Sequence, residues 1–226
     1  MIRAQIEGQP YIDWGWIADH LDDVWARLIE HSYLTFLAVA IGMLISFPLA
    51  IVAFRHRKAY GPIGAVTGLL YTIPSLALFA FLVPYTHLSV LTAEIGLVSY
   101  TLLILIRGMV SGLDGVPPDA RDAALGMGYS RSELLWRVEL PLALPVIIAG
   151  IRIATVTTIG LVTVTALIGK GGLGFFILMG IDRNFPTASL LGSVLSLALA
   201  VLVDFLLVRV ERLTTPWASR AREAAV

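Results

Sequence analysis

The sequence predicts an all-α integral membrane protein of five spans, and three observations carry that reading. Of its 226 residues 58% are hydrophobic and 14% charged, against roughly 45–50% apolar and 25% charged in soluble domains. The apolar residues come in blocks of at least about 20, enough to cross roughly 30 Å of hydrocarbon as helix, where backbone amides find no other partner. The Lys and Arg residues gather in alternate loops, the bias that orients a membrane chain.

Composition also excludes chemistry. There is no Cys, so no disulfide and no thiolate metal site, and the four His are scattered without ligand spacing. No metal site and no catalytic residue is expected. Formal net charge is zero, which offers nothing to a nucleic acid.

Residues 1–32 read as an extracytoplasmic leader without a cleavable signal, ahead of a first span that acts as a retained anchor. In it Ile17, Leu21, Val24, Trp25 and Leu28 recur at helical spacing between Asp19, Asp22, Asp23 and Arg27, with Asp13 as N-cap. This predicts an amphipathic helix, lying in the outer interface or packed against the rim of the bundle. The membrane domain, 33–210, holds spans at 33–54, 63–83, 88–110, 142–168 and 189–210. The third is interrupted by Glu94 and Arg107, one of which must snorkel or face protein. A tail, 211–226, closes the chain.

Arg55, Arg57 and Lys58 follow the first span; Arg121, Arg131 and Arg137 lie between the third and fourth; Arg209, Arg212, Arg220 and Arg222 follow the fifth. Five crossings put all three groups on one face, the cytoplasm, leaving Arg3, Arg27, Lys170 and Arg183 opposite. The expected orientation has the N-terminus outside and the C-terminus in the cytoplasm of a bacterial inner membrane.

The cytoplasmic loop 111–141 is the most informative stretch. Pro117 and Pro118 suit a helix start, and Asp119 and Asp122 favour its positive end. That helix runs to about Leu125, Gly126 and Gly128 allow a sharp bend, and Ser130 with Glu133 reads as a capping box opening a second short helix. Leu140-Pro141 restarts the membrane path. Ala120, Ala123 and Ala124 make one side small enough for a partner's backbone to approach. An ordinary amphipathic connector is the alternative.

The run Asp122-Ala123-Ala124, then Gly126, continuing to Leu140-Pro141, resembles the Glu-Ala-Ala coupling loop of ABC-importer permeases. The likeness extends through Thr72-Ile73-Pro74-Ser75, Ala149-Gly150-Ile151-Arg152, the glycine-rich 169–174 and Glu211-Arg212, and it is greatest to osmoprotectant importers. The resemblance implies a five-span type I importer permease bundle with cytoplasmic coupling helices. It implies a carrier of glycine betaine, carnitine or choline, or alternatively of another small solute such as an amino acid. It implies Asp119, Asp122, Ala123, Ala124, Gly126, Gly128, Ser130, Glu133, Leu140 and Pro141 as ATPase-coupling residues. The implied partners are two ATPase subunits carrying ATP and Mg, a second permease copy or sister permease, and an extracytoplasmic substrate-binding protein. This chain itself binds no cofactor. Two departures stand out: Asp122 where the family usually has Glu, and Lys170 where a small residue is usual.

Within the membrane, Pro74 removes a helical hydrogen bond and frees the carbonyl of Leu70, which Thr72, Ser75 or water can satisfy. This marks Thr72, Pro74 and Ser75 as pathway or gate candidates, together with Thr157, Thr158, Gly169, Gly171, Gly172 and Gly174. Residues 169–174 lack the Ser or Thr and the preceding strand of a phosphate loop and read instead as a flexible outer turn. Arg152 lies about 15 Å, and Asp204 about 9 Å, from the cytoplasmic ends of their spans at 1.5 Å per residue. They are expected to form a buried ion pair, because a lone charge at that depth costs about 2.5–3.5 kcal/mol or more.

Two other classes compete poorly. An ion-coupled secondary transporter predicts inverted halves, and no halves with matching patterns are visible. An intramembrane hydrolase would need a motif linking Ser75, Ser99 and His87, and none does.

Overall fold

A computed structural model describes residues 11–217, all helical among those residues in their regular structure. The helices are α1 (Trp14–Asp19), α2 (Leu21–Arg55), α3 (Arg57–Thr72), α4 (Ser75–Thr86), α5 (Val90–Asp114), α6 (Pro118–Gly126), α7 (Arg131–Leu134), α8 (Leu140–Val164), α9 (Gly174–Asp182) and α10 (Pro186–Thr214). Four stretches are long and apolar enough to cross a membrane: Leu21–Arg55, Val90–Asp114, Arg131–Ile168 and Pro186–Thr214. The pair α3 and α4, bent by 91°, makes a fifth when counted as one span. It must be one crossing. α2 ends beside the loop 111–141, where Arg55 donates to the Arg131 carbonyl (3.2 Å), whereas α5 begins at the far end of the bundle, packed near Leu34.

α5 is the axis of the fold, packed between α2 and α8. Two apolar clusters sit at its ends. One gathers Ala50, Ala53, Leu105, Met109, Leu113, Leu135 and Ile147 near the loop; the other gathers Leu34, Ala38, Phe79, Leu97, Val162 and Ile168. Lipid tails are as apolar as these side chains, so close packing rather than dehydration must hold helices together, and small residues permit it. At the α5–α8 crossing a Cβ on Gly108 would lie 3.1 Å from the Gly150 Cα. By contrast α10 buries few residues, and Leu197, Val201 and Phe205 stand exposed.

Four expectations are corrected. The amphipathic leader is not one interfacial helix. It breaks at His20, and residues 21–32 continue into the first span as a single 35-residue helix, since no Gly or Pro occurs between Leu21 and Phe36 to separate them. Only α1 is separate; Asp13 caps it, accepting from the Trp16 N–H (2.9 Å), and Trp16 packs edge-on against Phe185 (5.1 Å between ring centres). Of the leader, residues 1–10 lie outside the described residues, as do 218–226 of the tail.

The second expected span is broken rather than kinked. A residue before proline is driven out of the helical region, and Ile73 is accordingly extended at ψ 126°. Tyr100, absent from the sequence-based account, donates its hydroxyl to the Ile73 carbonyl exposed by the break, while Thr72 donates to Leu69 (2.8 Å).

Nor does Leu140-Pro141 restart anything. α7 passes through a π-helical turn, Leu135–Glu139, directly into α8. Pro141 has no N–H for the preceding turn and its ring crowds the carbonyl four residues back; a wider turn makes that room.

Past the exposed Gly169, the segment 169–174 is packed rather than loose at Gly171, Gly172 and Gly174. A Cβ on Gly171 would lie 2.3 Å from the Ala166 nitrogen, and one on Gly174 would lie 2.2 Å from the Thr163 carbonyl. Gly172, at φ 49°, sits against His31, where a Cβ would approach the His31 Cβ to 2.6 Å. His31 is wholly buried and staples the segment down: its Nε2–H donates to the Ile159 carbonyl (3.0 Å) and its Nδ1 accepts from the Leu173 N–H (3.3 Å).

Candidate functional site: a polar knob and two grooves

The loop between α5 and α8 folds into a compact knob. Pro118 is the first residue of α6 with Asp119 in the first turn. The helix closes where Gly128 takes φ 85°, so that the Gly128 N–H donates to Leu125 (3.0 Å) and the Tyr129 N–H to Ala124 (3.1 Å), the paired bonds of a Schellman cap. It is Gly128 that needs a residue without a side chain; Gly126 is the last helical residue and faces open space. The next helix opens on the expected capping box, with Ser130 Oγ accepting from the Glu133 N–H (3.3 Å) and Glu133 Oε2 from the Ser130 N–H (3.0 Å).

The three alanines do not share one open face. Ala124 is fully buried beneath the helix, Ala120 is half-buried, and Ala123 is exposed beside Asp119 and Asp122. The outward surface also presents Leu125 and Met127, the latter 70% exposed. Of the remaining loop residues, Ser130 is exposed while Leu140 and Pro141 are half-buried in the α8 entry. Arg121, missed as a functional residue, roots the knob. Its Nε donates to Glu139 Oε1 (2.9 Å) and its Nη2 to the Leu113 carbonyl at the end of α5 (2.6 Å). A signal for it existed, since Glu139 is a lone carboxylate just before an apolar span. A second tie joins the Arg57 guanidinium, at the start of α3, to both oxygens of Asp114.

Within the membrane layer, Arg152 and Asp204 meet in a two-pronged ion pair, Nε to Oδ1 at 2.9 Å and Nη2 to Oδ2 at 3.1 Å. Two features differ from expectation. Glu211 joins them, its Oε2 3.4 Å from Nη1, and the cluster is partly open in the single chain, with the Asp204 side chain 39% exposed. It lines a groove of about 620 Å³ between α8 and α10, together with Thr157. Thr158 points the other way; it is buried and donates to the Ala154 carbonyl (2.7 Å), so it does not line this groove.

A second groove, of about 470 Å³, lies where α3, α5 and α8 meet and shares Ala149 and Ile153 with the first. Arg107, Tyr71 and Ser111 line it. Of the two charges interrupting α5, Glu94 is the one that faces protein: it is buried, and among the described residues neither carboxylate oxygen has a hydrogen-bond partner. Arg107 is exposed on the groove, and among the described residues no carboxylate pairs with it. Thr72 and Pro74 are exposed and Ser75 half-buried at the α3–α4 break; Gly169 is exposed, while Gly171, Gly172 and Gly174 are buried. Lys170 is half-buried, its carbonyl accepting from the Thr165 hydroxyl. Among the described residues no group of three or more His, Asp or Glu is placed to hold a metal.

Comparison with known proteins agrees with this architecture. The sequence pattern of the binding-protein-dependent transport system inner membrane component family matches residues 28–215. The choline transport system permease protein OpuBB of Bacillus subtilis is 36% identical over 190 residues, covering 84% of this chain and 88% of that protein. The osmoprotectant import permease protein OsmW of Salmonella typhimurium is 38% identical over 192 residues, covering 83% and 89%. Among solved structures, an inward-facing form of the MetNI methionine ABC transporter superposes with a TM-score of 0.75 at 22% identity, covering 90% of this chain and all of that one.

Proposed function

The chain belongs to the binding-protein-dependent transport system inner membrane component family and is a permease of an ABC importer; from that premise we propose that its cargo is a quaternary-amine osmoprotectant such as glycine betaine, carnitine or choline. The cargo reading rests on relatives that include the glycine betaine/carnitine/choline permease OpuCB of Bacillus subtilis, 34% identical over 187 residues.

The knob is the observation that carries the mechanism. Asp119, Asp122 and Ala123 face outward while Arg121 grips the end of α5 and the start of α8. A push on α6 therefore acts on two membrane helices at once. In the proposed cycle two cytoplasmic ATPase subunits, holding ATP and Mg, close on binding nucleotide and drive that push. This chain supplies no catalytic group. A second permease copy or a sister permease completes the pathway, because a face carrying Arg107, which has no ion-pair partner among the described residues, is costly against lipid. An extracytoplasmic binding protein delivers cargo at the end bearing α1 and the 169–174 turn. The N-terminus is outside and the C-terminus cytoplasmic.

Uptake into proteoliposomes tests this directly. Glycine betaine or choline accumulation should require ATP inside, the ATPase and the binding protein together. Accumulation driven by an ion gradient without ATP would overturn it.

A further inference from the structure

The groove at the junction of α3, α5 and α8 has a charge that the permease's architecture does not use. Arg107 lies seven residues before the end of α5, about 10 Å into the helix from its cytoplasmic end. It is exposed on the groove, without an ion-pair partner among the described residues, whereas Arg152, Arg121 and Arg57 are all paired with carboxylates. Ser111, one turn further along α5, adds an exposed hydroxyl to the same wall. The other wall carries Tyr71, 40% exposed and braced edge-on by Tyr100 at 6.0 Å between ring centres. Tyr100 is itself held by its hydroxyl on the Ile73 carbonyl. The Gly108–Gly150 crossing brings the α8 backbone close enough to form the floor.

We infer that this groove is a transient station for a zwitterion, with Arg107 and Ser111 receiving its carboxylate and the Tyr71 ring its quaternary ammonium. A guanidinium matches a carboxylate geometrically and stays charged at any physiological pH. An aromatic face attracts an ammonium through its quadrupole. One cation against one ring suits a carboxylate-bearing amine such as glycine betaine. It repels choline, which has the ammonium and no anion. The inference rests on the quaternary-amine reading above and narrows it: Arg107 is a specificity-determining residue favouring carboxylate-bearing cargo.

The test uses the complete importer, permease with ATPase and binding protein, in proteoliposomes. Initial uptake of glycine betaine and of choline is compared for wild type, Arg107→Gln, Arg107→Lys and Ser111→Ala. Arg107→Gln should lower the glycine betaine to choline ratio at least about tenfold, with Arg107→Lys restoring most of it. Should Arg107→Gln fail to assemble, Ser111→Ala should still lower glycine betaine uptake about two- to threefold and leave choline unchanged. If Arg107→Gln lowers both in proportion, or neither, the station is overturned while the cargo class stands. A wild-type importer that carries choline alone also overturns the station. One that carries neither solute overturns the cargo class, and the station with it.

Discussion

Arg121 on α6 and Glu139 at the entry to α8 form a 2.9 Å ion pair across eighteen residues of chain, with Glu139 buried and Arg121 also bonded to the Leu113 carbonyl. One side chain thus fixes the knob to the helices on either side of it. Removing one partner of a buried pair leaves the other uncompensated and costs about 3–5 kcal/mol. Because Arg121 keeps a quarter of its side-chain surface exposed, Arg121→Met should fall at the low end, about 3 kcal/mol. In the assembled importer it should uncouple the subunits: ATP hydrolysis continues while uptake per ATP falls. Measuring both rates in one proteoliposome preparation checks this, and an unchanged ratio would refute it.

Ala123 and Ala124 are adjacent yet face opposite ways, so the same enlargement should act differently at each. Ala123→Trp, on the exposed surface, should abolish copurification of the ATPase and leave thermal unfolding of the permease unchanged. Ala124→Leu, in a filled interior, should destabilise the permease itself by about 1–3 kcal/mol, the usual cost of overpacking. Copurification and unfolding measured on both variants separate the two effects. A stable, ATPase-binding Ala123→Trp complex would remove α6 as the docking element.

The guanidinium of Arg152 serves two carboxylates, which sets an order among variants. Asp204→Asn leaves Glu211 still facing the arginine, whereas Arg152→Met leaves two acids facing each other without a cation. Arg152→Met should therefore lower the Tm of the detergent-solubilised chain more than Asp204→Asn does. The exchange Arg152→Asp with Asp204→Arg should recover only part of the loss, because the relocated arginine no longer faces Glu211 in the same way. Equal Tm values for both single variants would mean that Glu211 takes no part.

His31 and Gly172 hold the 169–174 turn by complementary means. Gly172→Ala should cost about 1–3 kcal/mol from its left-handed backbone alone, and contact with His31 adds to this. His31→Leu should strand the Ile159 carbonyl and the Leu173 N–H, at about 1–3 kcal/mol for a buried unsatisfied group. Hydrogen exchange across 169–174 should accelerate in both. Exchange already as fast in the wild type would show the turn to be loose after all.

Tyr100→Phe removes the hydroxyl that satisfies the Ile73 carbonyl at the α3–α4 break. The loss should be about 1 kcal/mol, seen as faster exchange confined to residues near 73. A uniform change along α5 would point to packing instead.

Much of this was legible in the chain because it is local or forced by the solvent. The caps at Asp13 and Ser130 involve partners three residues away, and their residue types announce them. The spans follow from hydropathy, since hydrocarbon admits backbone only as closed helix or barrel. Arg152 and Asp204 were legible for the same reason: two opposite charges in apolar helices have few places to go. Tyr100 and His31 were not, because each acts on a backbone carbonyl, which every residue possesses and no sequence distinguishes; of Arg121's two partners only Glu139 leaves a signal in the chain.

The amino-acid order by itself determined how often the chain meets the membrane, where its polar knob falls and which residues cap that knob. Only the tertiary structure decided that Pro74 breaks a span through 91°, that Ala124 turns inward, that Gly172 is packed against His31, and that Arg107 lines a groove with no ion-pair partner among the described residues. The physical reason is range. Periodicity and capping act within a turn or two of helix, whereas the Ile159 carbonyl and the His31 ring are 128 residues apart, and only close-packed helices bring them into contact.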